Sequence, residues 1–455
     1  MVIGGGPAGY VGALRAAQLG AKVTLIESSS LGGTCLNVGC IPTKALLASA
    51  SVMQQVQSSA QFGIRATASG FDWPEIQKRK DRVVRKSTAG VGMLLKARQV
   101  EVITGRARLA GKGKVEVEHQ GPARMINYDK LLVAAGSMPV LPPIPGIELP
   151  GVIDSTGALS LDKVPDSLLI IGGGVIGCEM AEVFSSFGAK VAMVEMMPQL
   201  VPGEDPEAAQ LLQRALSKRG VEMMLGSRVE RLTLADERLS AEVAGPDGKH
   251  QTIGAEMVLV AVGRMSAIAG LGLEEAGVEI ERGSIKVNSR METSQPGIYA
   301  AGDCVGGWLL AHVASREAEV AAENMLGHRA EMEYHAIPRC VYTHPEIASA
   351  GISLSPAGGK GIIVGKFPFS ASGKASCLGQ LDGWVKLLAD HDSHLLLGCV
   401  IVGPGATELI AEASLAISRG LALEDLVRAV HAHPTLHESM LEAALAALGR
   451  PLHLP

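Results

Sequence analysis

Two stretches of this 455-residue chain repeat one short plan, and few folds can hold it twice. In the first, Val2-Ile3 runs into Gly4-Gly5-Gly6-Pro7-Ala8-Gly9, then an alanine-rich helical stretch to Gly20, then a strand over 22–26 closed by Glu27. In the second, the apolar run 168–171 leads into Gly172-Gly173-Gly174-Val175-Ile176-Gly177, a helical stretch to Gly188, and a strand over 190–194 closed by Glu195. Each is G-x-G-x-x-G between strand and helix, and each acid follows its first glycine by 23 residues. The glycines permit a tight turn and close backbone approach to a pyrophosphate, which the helix N-terminus attracts, while the acid accepts ribose hydroxyls. One such loop is a weak signal. Two with matching strand, helix and acid predict two Rossmann-like dinucleotide-binding units, one on Gly4, Gly6, Gly9 and Glu27, the other on Gly172, Gly174, Gly177 and Glu195.

Between these units lies Gly33-Thr34-Cys35-Leu36-Asn37-Val38-Gly39-Cys40-Ile41-Pro42-Thr43-Lys44, with two cysteines five residues apart. On a regular helix such a pair has Cα atoms about 8.6 Å apart, beyond the roughly 7 Å that a disulfide tolerates. If Cys35 and Cys40 bridge, the backbone between them is distorted, and Gly39 with Asn37 permits that distortion. A strained pair at a helix start suits a reversible redox disulfide. Two inert buried thiols are the other reading, and spacing alone leaves both open.

A nicotinamide delivers electrons as hydride and a disulfide takes up two, so a mediator is needed, and a flavin is the usual relay. Two further strand ends fit a flavin site: Ile298-Tyr299-Ala300-Ala301 followed by Gly302-Asp303, where the acid could hold a sugar-alcohol chain, and the run from Tyr128 to Ala135 ending at Gly136. Either alone also reads as an ordinary strand end.

Together these residues make the chain resemble the pyridine nucleotide-disulfide oxidoreductases with an N-terminal redox disulfide, over essentially its whole length. The run C-L-N-V-G-C-I-P-T-K and the tail His433-Pro434-Thr435-Leu436-His437-Glu438 look most like the members that oxidise dihydrolipoamide. The resemblance implies an α/β fold of two Rossmann-like domains, for FAD and NAD, plus a C-terminal α+β dimerisation domain. It implies FAD on the first unit with Thr34, Lys44, Gly136 and Asp303 contributing, and NAD on the second with Gly263. It implies a Cys35–Cys40 disulfide in which Cys35 exchanges with substrate and Cys40 faces the flavin, and Lys44 paired with Glu179 near the flavin's reactive nitrogen. His433, oriented by Glu438, is the implied acid/base, reaching the disulfide of the other subunit of a homodimer. Electrons then pass from protein-bound dihydrolipoamide through the cysteines and FAD to NAD⁺, within a 2-oxo acid dehydrogenase or glycine cleavage complex. The implied partners are a lipoyl domain and the subunit-binding region of an acyltransferase component. The chain departs from the family in its short start before Gly4, in His437 where serine is commoner, and in Val313 after His312 where lysine is more usual.

The base–carboxylate logic holds independently: a thiolate attacks, so a group titrating near neutrality must move protons, and a carboxylate on its second ring nitrogen sets tautomer and basicity. Glu195 selects NAD over NADP, since it would repel a 2′-phosphate and no arginine lies between it and Gly203. An NAD(P)H-dependent reductase of another disulfide, such as glutathione, is the main alternative; a docking subunit of a multienzyme complex is an alternative of another class. The histidines 431, 433 and 437 have no cysteine ligands or second acid nearby and stand beside a redox disulfide, so no metal is expected.

Composition narrows the setting. Apolar residues make up 47% and aromatics 3%, so aliphatic packing dominates the cores. No uninterrupted apolar run reaches the roughly 18 residues of a membrane span, the chain opens on a strand rather than a signal peptide, and five scattered cysteines beyond the pair read as reduced core thiols; a cytoplasmic enzyme is expected. A net charge of −5 without a basic stripe argues against nucleic acid, and Lys78-Arg79-Lys80-Asp81-Arg82 reads as a solvated helix face. The expected organisation is an FAD domain over 1–148, with a helix over 83–98, an NAD domain over 149–270, a central segment over 271–337 returning to the FAD site, and an interface domain over 338–455. The last should carry strands near 362–367, 384–388 and 397–402 and helices from Glu408 and Leu423.

Overall fold

The fold is described by a computed structural model covering residues 1–119, 122–353 and 361–454; within the expected interface domain, 354–360 and 455 lie outside the described residues. Two five-stranded parallel sheets realise the repeat. The first runs in the order Ile298–Ala300, Leu131–Val133, Val2–Ile3, Thr24–Glu27, Glu101–Thr104. The second runs Val152–Ile153, Met257–Val260, Ser167–Ile171, Lys190–Glu195, Glu222–Leu225. In both, the strand before the glycine turn is central and the acid-tipped strand lies beside it. The two-residue strand Val2–Ile3 suffices because it is bonded on both sides, Val2 opposite Leu25 and Leu132, Ile3 opposite Ile26 and Val133. Leu168 to Ile171 are all buried, as both faces of a parallel sheet must be.

The scarcity of aromatics is met by close helix packing. The helices Pro7–Gln18 and Ala311–Met325 meet through small residues. A Cβ on Gly12 would lie 2.5 Å from Leu132 and 3.4 Å from Ala318, so the separation is set by the absence of a side chain.

The C-terminal segment folds around an antiparallel sheet in the order Arg339–Val341, Glu346–Gly351, Leu396–Gly403, Trp384–Asp390, Ile362–Pro368. The period of two along Leu396–Gly403 feeds two cores. Cys399 and Ile401 face the helices Ala406–Ser418 and Glu438–Ala447, while Val400 and Val402 face the second Rossmann unit and the cysteine-bearing helix. The third domain is thereby welded to the redox segment rather than tethered beside it.

Several local expectations change. The cysteines occupy two helices, Gly33–Val38 and Cys40–Ser58, broken at Gly39. A Cβ there would lie 2.9 Å from the Thr34 carbonyl oxygen, so the break requires glycine. Asn37 contributes differently from the expectation: it stays helical and its Nδ2 donates to the carbonyls of Leu31 and Gly33 at 3.0 and 2.9 Å. The helix expected over 83–98 is Trp73–Ala97, because Asp72 caps the Glu75 N–H and Pro74 suits a first turn. Its basic run is not all solvated: Lys80 is buried with Nζ on the Leu159 carbonyl at 2.8 Å, and Arg79 donates to Ala45 at 2.8 Å. The strands Arg339–Val341 and Glu346–Gly351 and the helix Glu438–Ala447 were not anticipated. Of the five scattered cysteines, Cys178, Cys304 and Cys399 are core thiols, whereas Cys340 is half-buried and Cys377 exposed. One helical stretch among the described residues, Gly33–Phe62, is long and apolar enough by composition to cross a membrane. It is the cysteine-bearing segment, and its Leu46, Leu47 and Ala50 lie in a shared core with the second Rossmann unit and the C-terminal sheet.

Candidate active site

Both glycine turns, both cysteines, Lys44, Glu179 and Asp303 open onto one cavity of about 2120 Å³. That is roughly twice the upper range for a site holding one drug-sized ligand.

The two turns match atom for atom. Gly4 and Gly172 take φ of +98° and +111°, and a Cβ on either would lie 2.2 or 2.4 Å from the carbonyl oxygen of Ala134 or Ala261. Gly9 and Gly177 press equally close to the carbonyls of Gly4 and Gly172, at 1.8 and 2.1 Å for such a Cβ. The middle glycines differ in kind. Gly6 meets nothing nearer than 3.7 Å and Gly174 nothing within 4 Å, leaving open space above the helices Pro7–Gln18 and Val175–Ser186. Neither helix has a side-chain cap, so their first N–H groups are free for a pyrophosphate.

The acids are also twins. Glu27 accepts from Gly5 N–H at 2.6 Å and Ser29 N–H at 2.7 Å; Glu195 accepts from Gly173 N–H at 2.5 Å and Met197 N–H at 2.7 Å. Each carboxylate is thus anchored by backbone on both oxygens, with lone pairs left for a ribose diol. The cradles, free helix ends and anchored acids fit two dinucleotides.

At the redox segment the Cys35 thiol is hydrogen-bonded to Cys40. Cys40 is held below the usual thiol range, first by that bond and then by the Lys44 charge, against the opposing effect of burial. Cys35 is pushed up by the same bond and by burial. Lys44 Nζ reaches both oxygens of Glu179, at 2.9 and 2.8 Å, and lies 4.4 Å from the centre of the Tyr342 ring. The Tyr342 backbone N–H donates to the same carboxylate at 3.1 Å. One turn on, Glu182 accepts from the backbone N–H of His344 at 2.8 Å. The helix of the second glycine turn is therefore tied at once to the cysteine helix and to the C-terminal domain.

Asp303 lies in a polar chain with no signal in the sequence. Ser137 Oγ donates to Asp303, and Arg264 donates from Nε to Ser137 Oγ at 2.8 Å and from Nη2 to the Ser137 carbonyl at 2.8 Å and to Thr34 Oγ1 at 3.4 Å. The strands Ser137–Pro139 and Arg264–Ser266 pair antiparallel, which brings Gly136 (φ +74°) and Gly263 (φ +132°) to the same cavity. Behind Asp303 the buried Glu317 accepts from Gly302 N–H and from Tyr334 Oη, both at 2.7 Å, and burial pushes its pKa up to about 7. Ser137, Arg264, Glu317, Tyr334 and Tyr342 were not among the expected site residues, since nothing local in the sequence distinguishes them.

His433 Nδ1 lies 2.8 Å from Glu438 Oε1, and Thr435 N–H donates to Oε2 at 2.8 Å. This pair is not brought to the cysteines of its own chain: the His433 side chain is 79% exposed and lies outside the cavity. Its neighbours His431 and His437 face a second acid, Glu412, contrary to the expectation that none lies nearby.

Comparison with known proteins extends this geometry. Residues 1–318 match the family described as pyridine nucleotide-disulphide oxidoreductase, and residues 337–444 match that family's dimerisation domain. The chain is 44% identical to the dihydrolipoyl dehydrogenase of Chlorobaculum tepidum, covering 98% of this chain and 96% of that one. It is 41% identical to the enzyme of the same name from Geobacillus stearothermophilus, covering 100% and 97%. Among solved structures, LpdA from Mycobacterium tuberculosis superposes with a TM-score of 0.90 at 28% identity, covering 97% and 98%. The HOCl-induced flavoprotein disulfide reductase RclA from Escherichia coli gives 0.85 at 29%, covering 96% and 97%. With paired nucleotide cradles, a cysteine pair between them and matches that together span nearly the whole chain, this protein belongs to the pyridine nucleotide-disulphide oxidoreductase family.

Proposed function

We propose that this protein oxidises dihydrolipoamide with NAD⁺, using FAD and the Cys35–Cys40 pair. The observation that carries the reading is the single cavity in which both nucleotide cradles meet the cysteine pair and the Lys44–Glu179 ion pair. Full-length identity to proteins named dihydrolipoyl dehydrogenase supports the substrate. FAD belongs on the Gly4–Gly9 turn with Glu27, Thr34, Gly136 and Asp303, and NAD on the Gly172–Gly177 turn with Glu195 and Gly263. When bound, FAD supplies two-electron transfer between the cysteine pair and the nicotinamide.

The chain's own residues account for the thiol steps. With Cys35 and Cys40 bridged, a lipoyl thiolate attacks Cys35 Sγ, forming a mixed disulfide and breaking the bond to Cys40. Cys40 leaves as the thiolate, which the Lys44 charge stabilises, and a lower leaving-group pKa speeds the exchange. The second lipoyl thiol then displaces Cys35, closing the cyclic disulfide. His433 takes the proton of the attacking dithiol, with Glu438 fixing the ring through Nδ1. Because His433 stands clear of its own chain's cavity, it serves the cysteines of a second copy, which the dimerisation-domain match supports. The domain divisions expected from the sequence, a cytoplasmic setting, and a lipoyl domain with an acyltransferase subunit-binding region as partners belong to the same reading.

The test is anaerobic titration of the FAD-loaded protein with dihydrolipoamide, followed by NAD⁺. Reduction seen in the visible spectrum, then formation of NADH, is the expected result. A bound flavin that does not respond to dihydrolipoamide would overturn the substrate.

A further inference from the structure

The segment between the helices Leu423–Arg428 and Glu438–Ala447 carries His433 and has no helix or strand of its own. In the single chain Val430 is fully exposed and His433 largely so, while His431 and Leu436 are the side chains of this loop that pack inward. A base that must meet a thiol at hydrogen-bond distance needs its position fixed within about half an ångström. Within the loop Thr435 Oγ1 donates to the Ala432 carbonyl at 2.7 Å, and an anchor outside the loop adds to that order.

Glu412 is placed to do so. It sits on the helix Ala406–Ser418, whose Leu409, Ile410 and Ala413 are buried against the C-terminal sheet. Its Oε1 lies 2.9 Å from His431 Nε2 and its Oε2 lies 3.1 Å from His437 Nδ1. One carboxylate thus grips the loop two residues before His433 and four residues after it. His431 is the buried arm, and its Nδ1 also faces the Ala429 carbonyl at 3.1 Å. Both of its ring nitrogens thus face acceptors, the Glu412 carboxylate and the Ala429 carbonyl. Hydrogen bonds to a charged carboxylate are roughly twice as strong as neutral ones, and this carboxylate stands on a helix packed against the sheet. The two acids divide the labour: Glu438 orients the His433 ring, and Glu412 holds the backbone that carries it.

We propose that Glu412, through His431 and His437, is a positioning residue that sets His433 for proton transfer with the dithiol. This rests on the role given to His433 above. The test uses the FAD-loaded, full-length protein and three variants. Hydrogen exchange is read over 429–438, and turnover is read for dihydrolipoamide with NAD⁺ and for NADH with an artificial dye, a reaction that does not need His433. In E412Q, exchange across 429–438 should rise about tenfold, as loss of charged hydrogen bonds implies. Dihydrolipoamide turnover should fall about tenfold while dye reduction stays within about twofold. H437N keeps a donor where Nδ1 stood and should behave like the parent, whereas H437L should show part of the E412Q defect.

Unchanged exchange in E412Q overturns the anchoring. Faster exchange with undiminished dithiol turnover overturns the link to His433. Equal loss of both reactions, or H437N as impaired as H437L, marks a general structural effect and also overturns it. If the parent itself fails to oxidise dihydrolipoamide, the functional reading falls, and the exchange measurement alone decides whether Glu412 anchors the loop.

Discussion

The carboxylate of Glu195 offers the sharpest quantitative test of cofactor choice. Gly173 N–H and Met197 N–H hold its two oxygens at 2.5 and 2.7 Å, so the group is set before any nucleotide arrives. A ribose diol can then take two hydrogen bonds from an acceptor that needs no reorganisation. Hydrogen bonds to charged groups contribute about 1.5–3 kcal/mol each. In Glu195→Ala the two backbone N–H groups are left to water, which recovers part of that loss, so a net cost of about 2–3 kcal/mol is expected. This corresponds to a rise of roughly 30- to 150-fold in KM for NAD⁺. The same change removes the negative charge that repels a 2′-phosphate, so NADP⁺ should be used no worse than before, and the preference for NAD⁺ should shrink by a similar factor. The assay is steady-state oxidation of dihydrolipoamide with each nucleotide, at fixed ionic strength because the charge effect is screened. Flavin content serves as the control, since Glu27 and the first cradle are untouched. Parent protein that prefers NADP⁺, or an E195A variant with unchanged KM for NAD⁺, would refute the argument.

Three further expectations follow from the site. His433→Gln should lower dihydrolipoamide oxidation by roughly 100-fold or more while NADH-driven dye reduction survives; equal loss of both would remove the proton role from His433. Lys44→Met strips a nearly inaccessible Glu179 of its cation, so stability should drop by about 2–3 kcal/mol, the lower end for a broken buried pair because Lys44 is partly exposed. Alkylation of reduced Cys40 should also need higher pH in that variant, and an unaltered alkylation profile would exclude Lys44 as a thiolate partner. Burial raises Glu317 from its ordinary 4.5 to about 7, so the folded state binds this proton more tightly than the unfolded chain. Its stabilising contribution is complete below about pH 4.5 and is lost as pH rises through about 7. Glu317→Gln should therefore flatten the decline of Tm across that window, and identical slopes in parent and variant would discount the carboxyl.

What could be read from the chain was whatever is encoded over short separations. A glycine that must turn, a glycine that must let backbone through and an acid 23 residues later are local requirements, so both cradles were legible down to Gly4, Gly9, Gly172 and Gly177. The helix break at Gly39 was legible for the same reason. The errors arose where the partner is distant. Lys80 looked solvated because its acceptor, the Leu159 carbonyl, is 79 residues away. The strands Arg339–Val341 and Glu346–Gly351 carry weak propensity and are held by pairing with each other and with Leu396–Gly403.

The sequence by itself determined the two nucleotide units, the cysteine pair and, through family resemblance, the pairing of Lys44 with Glu179 and of His433 with Glu438. Only the tertiary structure decided how these are joined. It closed the first parallel sheet with Ile298–Ala300, brought Ser137 and Arg264 to Asp303, and set Tyr342 against Lys44. It also placed Glu412 between two histidines of a loop that the sequence had left unsupported. The physical reason is range. Turn geometry and helix capping act within a few residues, whereas buried charges and polar chains need partners that only the packed fold can bring together.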